Sequence, residues 1–577
     1  MKKFLITSTL LLSATATILA CTNFIVTKGA SADGSTFISY AADSHTLYGE
    51  LYYRPAATYP EGTMFEVEEW DTGRKLGKIK QVAKTYSVVG NINEYQVAIS
   101  ETTFGGREQL SDTNGIIDYG SLIYIALQRS KTAREAIKVM VELTNEYGYF
   151  SSGESFSIQD PNEVWFMELT GRAAQAKDAK GKPIAKLNKK GLLMVAYKVP
   201  DGYVSGHANQ ARITNIKKAD GKTSITTDQL SKIFDPAIEC VYTTDIFEYC
   251  KAVGITDATS FENFIFCDAV CPMTQSGNRG CEGRVWAGFM KLNKEAVAQY
   301  EDYARGDNLK NRMPLWIKPA EKVTLDKMFD VMRDHYEGTS MDMTKDVGAG
   351  PFACPYRWRP MAFEVDGVKY VHERATSTQQ TGFSFIAQSR SWLPNEIGGI
   401  LWFGVDDSYT SVYSPVYCGI TEIPEQVAVG NGSMAIYSPT SLFWIFNRVS
   451  NFAYTRYKDM IVDIQKEQKM LETSFQNDVK EADARMQNEK DHGKLVAFAN
   501  NFTTEKIKKT FDAWDLLDKK LFVKYMDGNI KKTDENGNIK TTKYGPSYIE
   551  FPEQPEYPEK WYRTIIQDCG DNIKVNN

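Results

Sequence analysis

Cys21 follows Ala20 and heads the run Cys21-Thr22-Asn23-Phe24-Ile25-Val26, and what it can do depends on whether it becomes a first residue. Cutting the Ala20–Cys21 bond would put a thiol and a free α-amine on one Cα. With reference pKa values of ~7.7–8.0 for the amine and ~8.5 for the thiol, each group is within reach of the other's proton at neutral pH. Such a cysteine needs no histidine. It can attack a carbonyl, form an acyl-enzyme and use its own amine to activate the water that releases the product. Three further parts are required: a group that orients the amine, donors for the oxyanion, and a charge that anchors the substrate.

The preceding segment supplies the cut. Met1-Lys2-Lys3 is a short basic start, Phe4 to Leu19 is apolar and small, and Ala20 is the small residue that signal peptidases leave behind. Residues 1–20 read as a secretory signal, which sends the mature chain to the periplasm or cell envelope. Ile18-Leu19-Ala20-Cys21 also reads as a lipoprotein processing site. In that alternative Cys21 is acylated and the protein is a lipid-anchored, peptide-binding component of the envelope. The two readings exclude each other, because an acylated amine is not a base. No later segment offers ~20 uninterrupted apolar residues, so no membrane span is expected.

With 577 residues, 42% of them hydrophobic and 24% charged, the chain has globular composition. Its net charge of −6 becomes −8 once Lys2 and Lys3 leave with the signal. No basic stripe offsets that balance, which argues against nucleic acid as a partner. The five histidines (His45, His207, His335, His372, His492) are scattered, and His372-Glu373-Arg374-Ala375-Thr376 begins like a metalloprotease helix but lacks the second histidine. No metal or other cofactor is expected. Nine cysteines leave eight after Cys21, five of them between Cys240 and Cys281, where an exported protein would form disulfides sooner than bind zinc.

The elements that must position Cys21 are legible in part. Asp33-Gly34 between the runs Asn23–Thr27 and Ser35–Tyr40 predicts a hairpin with Cys21 at its start. A second hairpin is expected from Ser87–Val89 and Gln96–Ile99 around Asn91–Glu94. Helices are expected from Tyr119 to Gln128 and after Thr132-Ala133-Arg134-Glu135, a capping box. Strands follow at Ser155–Ile158, Val164–Met167 and Leu192–Val199. Residues 225–350 read as mostly helical, strands resume between Ala362 and Tyr413, and a charged helical pattern begins at Ser441. Hairpins, helices and hairpins in blocks argue for an α+β, layered sheet-and-helix fold.

Cys21-Thr22-Asn23, Asp33-Gly34-Ser35-Thr36, Asp43-Ser44, Gly90-Asn91-Ile92-Asn93-Glu94 with Glu101-Thr102-Thr103, Ala208-Asn209-Gln210-Ala211-Arg212-Ile213, Gly283-Arg284-Val285-Trp286 and Ser389-Arg390-Ser391-Trp392-Leu393-Pro394 occur in that order. The ordered set resembles the cysteine dipeptidases of the PepD and secernin type, within the N-terminal-nucleophile (Ntn) hydrolases. The resemblance implies a four-layer αββα sandwich over residues 21–440, followed by a mostly helical extension over 441–577. It implies metal-independent hydrolysis of dipeptides or short peptides, with Cys21 as nucleophile and, through its amine, as base. By the same resemblance Asp43 holds the amine or thiol, Asn209 donates a side-chain N–H to the oxyanion, and a backbone N–H near Thr103 donates another. Arg279 or Arg284 would anchor the substrate. Tyr40-Ala41-Ala42-Asp43 stands where many of that family carry Arg-Asn-x-Asp, so either the Tyr40 hydroxyl or a distant arginine replaces a guanidinium beside the thiol, or substrate handling differs. An amide acylase on the same fold is a further alternative, and assembly into a homo-oligomer is left open.

Overall fold

The computed structural model describes residues 21–173 and 175–575; the expected signal segment lies outside them. The apolar runs flanking Asp33-Gly34 pair as the turn predicts: Asn23–Val26 and Thr36–Asp43 are antiparallel, with Ile25 opposite Ile38. Gly34 adopts φ +80°, a conformation that costs glycine little. Both strands are buried along their whole length, which places them inside a sheet and not at its edge.

That sheet has seven strands in the order Trp316–Ile317, Val204–His207, Asn23–Val26, Thr36–Asp43, Thr381–Ser389, Gly399–Val405 and Ser414–Tyr417. A second sheet has nine, in the order Ser224–Thr226, Cys240–Tyr242, Leu192–Lys198, Val164–Gly171, Gly153–Gln159, Ala98–Gly105, Ile92–Asn93, Val88–Val89 and Tyr53–Arg54. The fold is thus a mixed α/β one with two large, almost entirely antiparallel sheets. The expected second hairpin is a three-strand meander, because Ile92–Asn93 pairs on one side with Val88–Val89 and on the other with Ala98.

Buried polar side chains tie the sheets face to face. Asn23 Nδ2 donates to Ser100 Oγ at 2.9 Å, the His207 ring bonds Thr102 Oγ1 at 2.7 Å and Ser157 Oγ at 2.8 Å, and Thr36 Oγ1 donates to the Asp160 carbonyl at 2.8 Å. Burial, reinforced by the Arg212 charge, holds the His207 pKa well below the ordinary imidazole value. This histidine is therefore a neutral structural group.

Helices Tyr119–Arg129 and Ala133–Tyr147 join an apolar cluster with Phe156, Ile158, Met167 and Met194 of the nine-stranded sheet. The first half of the capping box forms as read, Thr132 accepting from the Glu135 N–H, while the Glu135 side chain accepts from the Lys131 N–H, one residue before the N-cap. On the seven-stranded sheet, helices Leu442–Tyr454, Tyr457–Met486 and His492–Tyr525 share the core through Phe446, Leu471, Phe475, Trp514 and Leu517. Among the described residues no helix is long and apolar enough to cross a membrane.

The nine cysteines are all free, so the disulfides expected between Cys240 and Cys281 do not form. Cys240 is on a strand, Cys250 and Cys267 are on separate helices, and all three are buried as small apolar side chains.

Helix Glu282–Val297 runs under the Cys21 hairpin, and a Cβ at Gly288 would overlap the Phe24 ring. Gly288→Ala should therefore destabilise the protein by about 1–3 kcal/mol. The midpoint of urea unfolding checks this, and an unchanged midpoint would show that the helix can shift freely.

Candidate active site

Thr22 exchanges backbone hydrogen bonds with Ala41, at 3.2 and 3.0 Å, and this stitches Cys21 to the end of the Thr36–Asp43 strand. Cys21 is 4% exposed. Its Sγ lies 3.7 Å from both Tyr40 Oη and Glu101 Oε1, and Tyr40 donates to the same Glu101 oxygen at 2.5 Å. The Tyr40 ring is held edge-on by Phe383 and Phe385, with centroids 5.7 and 5.6 Å away, so its hydroxyl has little freedom.

A register shift between Ala42 and Asp43 bends the strand end and re-aims Asp43. Its carboxylate accepts from Thr381 Oγ1 at 2.6 Å and from the Arg374 guanidinium. The backbone N–H of Asp43 and the Tyr40 hydroxyl favour the Cys21 thiolate. Burial opposes this more strongly, and the charges of Glu101 and Asp43 add to it, so the thiol pKa is pushed well above its ordinary value. The sulfur is a protonated thiol until a base acts on it.

Arg284, 1% exposed, reaches the site from helix Glu282–Val297. It donates to the Cys21 carbonyl at 2.6 Å, Thr22 Oγ1 at 2.7 Å, the Ala208 carbonyl at 3.2 Å and Asn209 Oδ1 at 2.8 Å. Burial, with the Arg374 charge second, lowers the Arg284 pKa to about 10. Asn209 occupies the left-handed region at φ +58°, which asparagine tolerates better than most side chains. Because Arg284 fixes its oxygen, Asn209 presents Nδ2, which donates to the Thr103 carbonyl at 2.7 Å.

Cys21, Tyr40, Asp43, Thr103, Asn209 and Arg284 are thus linked into one network. Arg279 is not part of it: it lies on the short preceding helix Gln275–Gly280 and pairs with Glu373. Two members escape a reading of the chain in order. Glu101 sits in the quoted Glu101-Thr102-Thr103 motif, where only Thr103 had been given a role. Arg374 sits in the passage whose only visible pattern was a broken metalloprotease motif.

With this geometry in view, comparison with known proteins gives a family. A family model described as peptidase family C69 matches residues 20–470. The chain belongs to that family. This C69 peptidase is 22% identical over 474 residues to a "Probable dipeptidase" of Latilactobacillus sakei, covering 78% of this chain and 84% of that protein. It is 23% identical over 443 residues to a "Probable dipeptidase" of Salmonella dublin, covering 73% and 86%. A "Probable dipeptidase B" of Streptococcus pyogenes serotype M1 is 19% identical over 473 residues, covering 79% and 83%.

Removing one partner of a buried ion pair strands the other. Arg374→Met should cost about 3–5 kcal/mol of stability by leaving Asp43 buried without its cation. The double variant Arg374→Met/Asp43→Asn should recover part of that loss. Denaturation midpoints of the three variants against the parent check the coupling, and purely additive losses would refute it.

Proposed function

We propose that this C69 peptidase is an exported dipeptidase that hydrolyses dipeptides or short peptides through an acyl-enzyme on Cys21, once removal of residues 1–20 has freed the Cys21 amine. The arrangement of Cys21 with Asn209 and Asp43, both reached through buried arginines, is the observation that carries the reading. The relatives' printed names support the dipeptide substrate.

In the proposed reaction the α-amine takes the thiol proton and Sγ attacks the scissile carbonyl. Asn209 Nδ2 leaves the Thr103 carbonyl and, with a backbone N–H near Thr103, receives the developing oxyanion. The protonated amine returns its proton to the leaving amine, then activates water against the thioester. Asp43, anchored by Arg374 and Thr381, orients the amine. The scaffold proposed for this chemistry is the four-layer αββα arrangement of Ntn hydrolases, with the mature chain in the periplasm or cell envelope. Burial of Cys21 against Tyr40 and Glu101 favours a nucleophile over a lipid anchor, since acyl chains on Sγ would have to displace both side chains.

In the processed protein, Cys21→Ala should lower dipeptide hydrolysis by about three orders of magnitude or more with the circular dichroism spectrum unchanged; retained turnover would refute the assignment. The active base is the unprotonated amine, so kcat/KM should fall as pH drops through about 7 to 8. A profile flat from pH 6 to 9 would exclude that base.

A further inference from the structure

Beside the nucleophile lie two buried carboxyls, Glu101 and Glu154, with which no side-chain cation of the described residues is paired. Glu101 is 1% exposed and Glu154 fully buried, and Thr103 Oγ1 donates to Glu154 Oε1 at 2.8 Å. Burial raises both carboxyls, Glu154 well above the ordinary range, with the charge of neighbouring Glu101 adding to it. Among the described residues no arginine, lysine or histidine side chain forms an ion pair with either carboxyl. Glu101 Oε2 and Glu154 Oε2 are buried without a hydrogen-bond partner among the described residues. Asp43, in contrast, is satisfied by Arg374 and Thr381.

An uncompensated buried carboxylate is costly, and such groups are normally paired. Among the described residues no three acids, histidines or cysteines are grouped to hold a metal. Exposed Asp71 accepts from Tyr119 Oη at 2.9 Å. Burial raises the Tyr119 pKa, and the charges of Glu101, Asp71, Glu154 and Cys21 add to it. Tyr52 packs against Trp70 and Phe383, with ring centroids 4.8 and 6.4 Å away.

The stereochemistry of a peptide names the cation. In a dipeptide the α-nitrogen lies two bonds from the scissile carbonyl carbon, about 2.5 Å away by standard bond lengths. When that carbon is about 3–3.5 Å from an attacking sulfur, the nitrogen falls within roughly 3–5 Å of the same sulfur. Glu101 Oε1, 3.7 Å from Sγ, occupies that shell.

We infer that Glu101, backed by Glu154, is the acceptor for the free α-ammonium of the substrate's first residue, and so restricts the site to peptides cleaved one residue from an unblocked N-terminus. This rests on the peptidase reading above and adds its specificity determinant. It also gives the substrate a part in activation. An ammonium on Glu101 offsets the carboxylate charge that adds to burial in keeping the Cys21 thiol protonated, so a correct substrate eases proton transfer to the Cys21 amine while a blocked one does not.

The test compares three substrates on the processed protein: a dipeptide that it turns over, the N-acetylated form, and the des-amino analogue in which hydrogen replaces the ammonium. In the parent protein, kcat/KM should fall by about two orders of magnitude or more from the free dipeptide to either analogue. In Glu101→Gln that preference should shrink at least about tenfold, whatever happens to the absolute rates. Analogues cleaved as fast as the dipeptide by the parent would overturn the inference without any variant and leave the peptidase reading standing. So would an unchanged preference in Glu101→Gln, which would mean that the carboxylate serves the Cys21 amine instead. No Cys21-dependent hydrolysis of any of the three would overturn both.

Discussion

The Arg284 guanidinium is the tie on which the site depends. A single buried cation bonds the first carbonyl of the Cys21 strand, the hydroxyl of Thr22, the carbonyl of Ala208 and the side chain of Asn209. Three separate stretches of chain meet at one planar group. Such a group is expensive to bury, and it is tolerated because its donors meet oxygens in the directions a fixed fork can serve. A lysine could not span these acceptors. The consequence for function is orientation: with its oxygen held by Arg284, Asn209 must turn its amide nitrogen toward Thr103.

Charge distribution around Cys21 divides the site. On one side Arg374 and Arg284 stand near Asp43, and on the other the buried carboxyls of Glu101 and Glu154 lie together with no side-chain cation of the described residues paired to them. The thiol lies between, and burial together with Glu101 and Asp43 keeps it protonated. Tyr40 takes the position where a guanidinium was expected, and its bond to Glu101 keeps a donor, although an uncharged one, 3.7 Å from the sulfur. Replacing a cation by a phenol leaves the glutamate negative, which is why charge from outside the chain acquires a role.

Much of the scaffold was legible because its signals are local. Asp33-Gly34 forms the hairpin it predicts, and Thr132 with Glu135 caps the helix it announces. The nucleophile proposed here was singled out on equally local grounds, since the junction before Cys21 is read from adjacent residues. Glu101 and Arg374 were not, because each reaches Cys21 or Asp43 through sheet packing between segments far apart in sequence, and neither lies in a pattern of its own. Cysteine counting failed for a related reason: Cys240, Cys250 and Cys267 are close in sequence, yet strand and helices bury them individually. The Ile92–Asn93 strand was hidden in a stretch that reads as a turn, with Ile92 pairing on both sides and Asn93 on one.

The central claim is a covalent intermediate on Cys21. Acid quenching of the processed protein during turnover, followed by peptide mass mapping, tests it directly. The thioester would migrate to the adjacent α-amine on unfolding and survive as an amide of the same mass. The account predicts that the peptide beginning at Cys21 gains the mass of the substrate's first amino acid less one water. Turnover with that peptide unmodified, or with the adduct on another residue, would contradict it.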